Sequence, residues 1–210
     1  MKLDLGCGNA PAEGYVGVDL PLDELAPQTG SGPLQTSIDE HGIVRFDLAS
    51  GIPWPFEDES IEGLFSSHVI EHMPSGRIDV YRWEQRALGH FLRCTGTQDA
   101  LFWFLDEAWR VCKPGGEFLL RWPALRREDT RDICMSAFVD PTHYRFIPLE
   151  QIHYWSRAGR TARGVEQYRA SCNWVVATND DGSARACQRG LGSEGPDQVV
   201  ENEITFVKEL

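Results

Sequence analysis

Five short stretches of this chain carry side chains that can do chemistry. The first is His68-Val69-Ile70-Glu71-His72, whose H-x-x-E-H spacing some zinc peptidases use for two metal ligands and a catalytic Glu. The second is Leu3-Asp4-Leu5-Gly6-Cys7-Gly8. Two glycines directly after an apolar stretch let the backbone turn tightly and approach a ligand closely. The third and fourth are single acids, Asp19 and Asp47, each ending an apolar stretch. The fifth, Asp140-Pro141-Thr142-His143-Tyr144-Arg145, sets three polar side chains among aromatics and proline.

The elements that must position these residues follow from hydrophobic patterning. Residues 2–5 read as a strand running into the glycines, 15–18 as a second ending at Asp19, and 43–46 as a third ending at Asp47. Residues 61–66 and 117–122 read as the fourth and fifth strands. Residues 21–41, rich in Pro, Gly and acids, read as loop, and Ile52-Pro53-Trp54-Pro55-Phe56 as an extended, proline-broken connection. The spacing of Tyr81, Trp83, Leu88 and Leu92 predicts a helix over 77–93. A second helix is predicted from Thr97 as N-cap, with Leu101, Phe104, Leu105, Ala108 and Cys112 at three- and four-residue steps and Lys113-Pro114-Gly115-Gly116 as its stop. This alternation is the pattern of a parallel sheet with crossovers. The tail predicts a hairpin, Ser171 to Thr178 and Ser183 to Gln188 about Asn179-Asp180-Asp181-Gly182, then a last strand from Val199 to Glu209.

In the dinucleotide-binding form of a strand–glycine turn, a third Gly follows and a helix opens there to hold a pyrophosphate. Here Asn9-Ala10-Pro11-Ala12 follows Gly8, and the strand from Tyr15 leaves little room for a helix. A nucleoside ligand without a diphosphate fits better. Asp19 offers two carboxylate oxygens to ribose hydroxyls, and Asp47 can accept from an exocyclic amine such as adenine N6. Either acid alone reads as a loop cap. Together, in order and at the carboxyl edge of the sheet, they mark the ligand side of an open α/β sheet.

The net charge of −12 argues against a phosphate-tracking surface, so bulk nucleic acid is not the expected partner. The six cysteines contain no C-x-x-C pair, which points to separate reduced thiols rather than a disulfide framework or zinc knuckle. No apolar run reaches the ~20 residues a bilayer span needs, and MKLDLGCGNA meets Asp4 and a glycine turn too early for a signal peptide. A cytoplasmic protein is the expectation. A length of 210 residues, with 41% hydrophobic residues and seven Trp, suits one folded domain with a full core.

The series LDLGCG, GVDL, DLASGIPWPFEDESIEGLFSSHVIEHM and LDEAWRVCKPGGEFLL resembles the motif series of class I S-adenosylmethionine-dependent methyltransferases of the type 11 branch. Within it, the chain is similar to a compact subgroup whose first strand starts at the N-terminus and whose first helix is reduced to a loop of the form N-x-P-x-x-G-Y. The resemblance covers residues 2–122. It implies a Rossmann-like α/β fold: a seven-stranded, mainly parallel sheet with an antiparallel strand or hairpin at the C-terminal edge. It also implies one methyltransferase domain over 1–210, with a cofactor core at 2–122, a substrate-side cap at 123–170 and C-terminal strands at 171–210. The implied reaction moves a methyl group from S-adenosyl-L-methionine to an oxygen or nitrogen nucleophile and leaves S-adenosyl-L-homocysteine. The acceptor, a small molecule or a protein, is not named by the sequence.

By the same resemblance Asp4, Gly6, Cys7 and Gly8 shape the pocket for the methionine part of the cofactor. Asp19 holds the ribose hydroxyls with Leu20 against the adenine, Asp47 and the backbone of Leu48 read the adenine edge, and Ser67 and His68 lie beside the sulfonium and amino acid part. The helix after the glycines and the N-terminal helical lid of many relatives are missing. The mouth of the pocket is therefore expected to be open, or closed by another segment or subunit. The catalytic candidates are His143, Asp140 and His68, in that order. A base is needed only where the acceptor starts as a hydroxyl or ammonium; otherwise proximity and orientation carry the reaction.

Under this reading the H-x-x-E-H stretch lines the mouth of the site, and no metal is expected. Pro74 disfavours helix at Met73, leaving about two turns, shorter than a zinc-binding helix, and a third ligand would have to come from elsewhere. Competing readings are a non-catalytic cofactor-binding partner subunit, an aminopropyl transferase on the same fold, and a zinc hydrolase using His68, Glu71 and His72. Asp140-Pro141 also reads as an Asx-type turn with His143 bonded to it. Arg121, Arg126, Arg127 and Arg131 either bind an anionic substrate or neutralise Glu128, Asp129 and Asp132. Trp54, Trp122 and Trp155 either stack on a substrate or fill the core.

Overall fold

The computed structural model describes residues 1–20, 38–86, 89–125, 133–134, 136–165, 170–191 and 199–209. Lys2–Leu5 (β1) is short, but Leu3 and Leu5 are fully buried, as a central parallel strand covered on both faces requires. It pairs in parallel with Val16–Asp19 (β2) on one side and Ile61–Ser67 (β4) on the other. Val44–Arg45 (β3) lies parallel outside β2. Cys112–Pro123 (β7) lies parallel outside β4 and takes Val199–Lys208 (β10) antiparallel on its far side. Trp174–Val176 (β8) and Ala186–Leu191 (β9) both run antiparallel along the other flank of β10. The strand order is β3-β2-β1-β4-β7-β10-β8, with β9 on β10. This is the expected Rossmann-like, mainly parallel sheet with reversed pairing at its C-terminal side, its last position shared by β8 and β9.

Three local expectations need correction. The helix predicted over 77–93 is a β-hairpin, Arg77–Arg86 (β5) against Gly89–Asp99 (β6), forming a separate two-stranded sheet. Ile78, Val80, Tyr81, Trp83 and Phe91 are β-branched or aromatic and favour a pleated surface, while Gly89 and Gly96 weaken a helix. Leu88, part of the helical spacing, lies outside the described residues. The hairpin rests on the loop at Gly51, where Tyr81 N donates to Gly51 O at 2.9 Å.

The second correction is the helix start. Ala100–Val111 (α1) begins after Asp99, whose carboxylate accepts from Leu101 N at 3.0 Å and Phe102 N at 3.4 Å. Thr97 instead accepts from Arg77 Nε at 2.8 Å. Leu101, Phe104, Leu105 and Ala108 are buried as expected, and so are Phe102 and Trp103. Lys113 to Gly116 stops the helix but stays in β7 as an irregularity, shifting the register against β4 between Ile61 and Gly63.

The third concerns the tail. The turn at Asn179–Gly182 forms and its arms pair as a short hairpin, through Asn179 N to Ser183 O at 2.8 Å, an antiparallel Thr178–Ala184 bridge and Arg185 N to Ala177 O at 2.7 Å, but beyond these residues each arm turns to β10 instead. β8 faces residues 206–208 of β10 and β9 faces 199–204, so both are parts of one edge strand. Ala177 N donates to Thr205 O at 2.8 Å, and Thr205 N to Arg185 O at 2.9 Å, on either side of the pinched-out turn. The long flank of β10 offers enough backbone groups to pair both halves.

Trp54, Trp122 and Trp155 are core residues, at most 2% exposed. Trp54 Nε1 donates to Leu48 O at 3.2 Å and Trp122 Nε1 to Ile147 O at 2.9 Å. Shorter elements complete the fold: a 3-10 turn at Ile70–His72, Ser136–Val139 (α2), a 3-10 segment at Leu149–Trp155, and Arg157–Ala162 (α3). No disulfide joins any of the cysteines. Among the described residues, no helix is long and apolar enough to cross a membrane.

Candidate functional site

Parallel strands place their carboxyl ends on one edge, and here the loops after β1, β2, β3 and β4 enclose a cavity of about 430 Å3. Gly6 contributes after β1, Asp19 and Leu20 at the end of β2, Phe46 to Ala49 after β3, and His68, Val69 and His72 to Pro74 after β4. Of the cofactor candidates, Gly6, Asp19, Leu20, Asp47, Leu48 and His68 line it. Asp4, Cys7, Gly8 and Ser67 are not among its described lining residues.

The glycine turn is built from left-handed backbone, φ +76° at Gly6 and +62° at Gly8. A Cβ on Gly6 would stand 2.2 Å from Val69 Cγ2, so the loop after β4 presses directly on the loop after β1. No helix follows, as the spacing predicts. Gly8 N donates to Asp19 Oδ2, and Leu20 N donates to Asp19 Oδ1 at 2.6 Å. Each carboxylate oxygen of Asp19 thus takes one backbone N–H and keeps a lone-pair direction for another partner. Asp4 is buried and accepts from Ala12 N at 2.8 Å; burial pushes its carboxyl pKa up. The Cys7 thiol packs on Gly17, where a Cβ would meet Sγ at 2.5 Å. Burial, with Asp19 adding to it, pushes that thiol up to about 11. Asp47 caps its own turn, accepting from Ala49 N at 2.8 Å.

His68 has a left-handed φ of +57°, uncommon for a residue other than Gly and held by its surroundings. Its imidazole stands between two buried carboxylates. Nε2 is 3.0 Å from Glu201 Oε2, and Nδ1 is 3.2 Å from Glu71 Oε1. The Glu71 contact, with Glu201 behind it, raises the His68 pKa against the opposing effect of burial. Arg121 and Arg189 each lie 3.9 Å from Glu201 Oε1 and 2.6 Å from Glu203 Oε2. Arg121 is therefore paired, though with acids of β10. The other three arginines of its cluster, and Glu128, Asp129 and Asp132, lie outside the described residues. Glu201, 133 residues from His68, had no local sequence signal.

The H-x-x-E-H stretch does not form a zinc-binding helix: only one 3-10 turn exists, and Met73 is extended before Pro74. Glu71 is buried; its Oε1 faces His68 Nδ1 at 3.2 Å, and its Oε2 has no hydrogen-bond partner. Its backbone O accepts from Tyr144 N at 2.9 Å and Arg145 N at 3.0 Å. Arg145 also binds Met73 O at 3.0 Å, Pro74 O, and Asp99 Oδ2 at 3.0 Å, fastening the 140–145 stretch over the loop after β4. Asp140 makes the Asx-type turn, accepting from Thr142 N at 2.8 Å and Thr142 Oγ1 at 2.6 Å, which lowers its pKa. The His143 ring meets His72 edge-on at 4.8 Å, and Asp140 Oδ2 lies 3.8 Å from His143 Nε2. Of the three catalytic candidates, His68 lines the cavity, whereas His143 and Asp140 are not among its described lining residues and His143 stands beside His72. A second cleft of about 940 Å3 is lined by Arg77, Asp99, Phe102, Arg145 and Tyr154 among others; no sequence motif pointed to it.

No protein-family model matches the chain, and no curated protein matches its sequence. Solved structures do. A Bacillus halodurans protein provisionally named a methyltransferase aligns at TM-score 0.51 and 14% identity, over 100% of this chain and 92% of that one. A SAM-dependent methyltransferase from Archaeoglobus fulgidus aligns at TM-score 0.47 and 14% identity, over 99% and 85%. Haemonchus contortus phosphoethanolamine N-methyltransferase 2, crystallised with phosphomonomethylethanolamine and S-adenosylhomocysteine, aligns at 0.48 and 14%, over 100% of this chain and 48% of that one.

Proposed function

From the class I methyltransferase fold as premise, we propose that this chain moves a methyl group from S-adenosylmethionine to an oxygen or nitrogen nucleophile. The observation that carries the reading is the cavity at the carboxyl ends of β1 to β4, with Asp19 and Asp47 at the ends of its second and third strands.

The residues present fit the cofactor. Leu20, Phe46, Leu48 and Ala49 give apolar walls beside the two acids, a surface for an adenine with a carboxylate placed for a ribose. Gly6, at a left-handed φ of +76°, lines the cavity and brings backbone to its wall where the amino acid part would lie. When bound, the cofactor supplies a methyl group on a leaving group that needs no further activation. The chain binds and orients it, and for an acceptor hydroxyl or ammonium His68, His143 or Asp140 takes the proton. Residues 123–170 act as the substrate-side cap of one domain. The acceptor is a small molecule or a protein side chain, in keeping with the net charge of −12.

Calorimetric titration with S-adenosylhomocysteine tests the reading. Micromolar binding that weakens in Asp19→Ala supports it; a folded protein that does not bind sinks it.

A further inference from the structure

Beside the cavity, Glu71, His72 and His143 each bring one ligand atom within 4.8 Å of the others. We propose that these three residues form a centre for a divalent zinc-like or first-row transition metal, open toward the acceptor side of the cavity. Two imidazoles and one carboxylate are a donor set for zinc with a free position, or for a metal with several. Ligand atoms about 2.0–2.2 Å from a metal stand roughly 3–3.5 Å from one another, so modest side-chain adjustment closes this set.

Three independent features support the site. Each ring has its Nδ1 committed to the protein, which leaves Nε2 as the ligand atom, although Asp140 Oδ2 lies 3.8 Å from that of His143. His143 Nδ1 is 3.0 Å from Ala137 O, a carbonyl that can only accept, so Nδ1 carries the proton and Nε2 the lone pair. His72 Nδ1 lies 3.1 Å from Thr142 O and 3.1 Å from Thr142 Oγ1, whose own proton goes to Asp140; its Nε2 is likewise left as the donor. Metal-bound histidines are oriented by this kind of second bond.

Next, the Glu71 side chain is 3% exposed; its Oε1 faces the His68 ring, and its Oε2 has no hydrogen-bond partner. A desolvated carboxylate in that state is costly. Its charged neighbour is His68, 3.2 Å away and already bonded to Glu201; a dication supplies what is missing.

Last, the two segments that carry the ligands are fastened together by the Tyr144 and Arg145 bonds to Glu71 O, so the set is held before any metal arrives. This is not the H-x-x-E-H pair. His68 is held between Glu71 and Glu201, and the third ligand comes from the 140s.

Because His72 also lines the cofactor cavity, the open positions adjoin the acceptor's approach. On the methyltransferase reading, an acceptor oxygen bound there loses its proton to solvent or Asp140 more readily. The O–CH3 bond then forms as the S–CH3 bond breaks. Metal binding itself does not rest on that reading.

The test uses untagged protein stripped with EDTA and titrated with zinc, then cobalt(II) and copper(II). The expected result is one equivalent per chain, nitrogen hyperfine structure from two imidazoles in the copper spectrum, and affinity lowered roughly 100-fold in Glu71→Gln and His143→Gln. Asp19→Ala keeps the metal while losing S-adenosylhomocysteine. Folded wild-type protein that binds no metal, or a copper spectrum without imidazole nitrogen, overturns the proposal; the wild-type spectrum needs no variant to fold. Metal without S-adenosylhomocysteine binding leaves the centre standing and removes the methyltransferase reading; the reverse removes only the centre.

Discussion

Replacing Asp19 by Asn tests the proposed cofactor site with little change of shape. In the folded chain one oxygen of Asp19 takes Gly8 N and the other takes Leu20 N at 2.6 Å. An amide keeps one acceptor and turns an NH2 group toward the second N–H, so one bond is lost and two donors face each other. Hydrogen bonds to charged groups contribute about 1.5–3 kcal/mol. These two are exposed and water can replace them, which reduces the folding cost to about 1 kcal/mol, a fall of about 2–4 °C in Tm for a chain of this size. Toward a ribose in the proposed site the loss is a full charged acceptor. At about 1.4 kcal/mol per decade that is roughly 10- to 100-fold in Kd. Calorimetry with S-adenosylhomocysteine, paired with thermal melts, separates the two effects. A variant that melts within about 4 °C of the parent and binds within about twofold would show that Asp19 is a loop cap alone.

Gly6→Ala forces a Cβ onto a residue at φ +76° and within 2.2 Å of Val69 Cγ2; it should cost about 2 kcal/mol or more and weaken ligand binding with it. An equally stable variant would contradict the turn. Asp4→Asn has a pH signature. Burial raises the folded pKa of Asp4 above the ordinary carboxylate value of 3.8, so its contribution to stability is present below that value and lost as pH rises through the folded pKa. The Asn variant should therefore melt above the parent at pH 7 and lose that advantage as the melts are taken toward pH 4; a constant difference in Tm refutes this. Among the thiols, exposed Cys94 and Cys187 should alkylate first at pH 8. Cys7, at about 11, should lag a thiol of pKa 9 by roughly 100-fold in thiolate fraction. Mass spectrometry of a timed reaction reads this directly, and fast labelling of Cys7 would mean that its loop opens.

The strands that form the cavity were legible because each is a short apolar run ended by Gly or Asp, a pattern local to a few residues. The helix α1 was legible for the same reason, although its cap was placed two residues early: Thr97 and Asp99 both suit the role, and only pairing with Arg77 takes Thr97 out of it. Residues 77–93 misled because aromatics spaced for one helix face also alternate along a strand, and the β-branched content, not the spacing, held the answer. At the site, Asp19, Leu20, Asp47, Leu48 and His68 fall at strand ends and so come together once the sheet order is known. Glu201 could not be read. Its position opposite His68 depends on the register of β10, which no neighbouring residue announces. The burial of the Glu71 carboxylate is likewise a property of packing: the motif was visible, but its burial was not.

The place of β10 has a consequence for how the chain folds. Its two flanks pair with β7 and with β8 and β9, yet it follows all three in the chain. Until it arrives, β7 presents a row of unpaired backbone groups, the kind of edge on which chains associate, and the contacts that close the sheet are far apart in sequence, which slows folding. The same strand delivers Glu201 to His68. A kinetic intermediate lacking β10 should therefore be sticky, with its imidazole unrestrained, and closure of the sheet and immobilisation of His68 should share one rate in stopped-flow refolding.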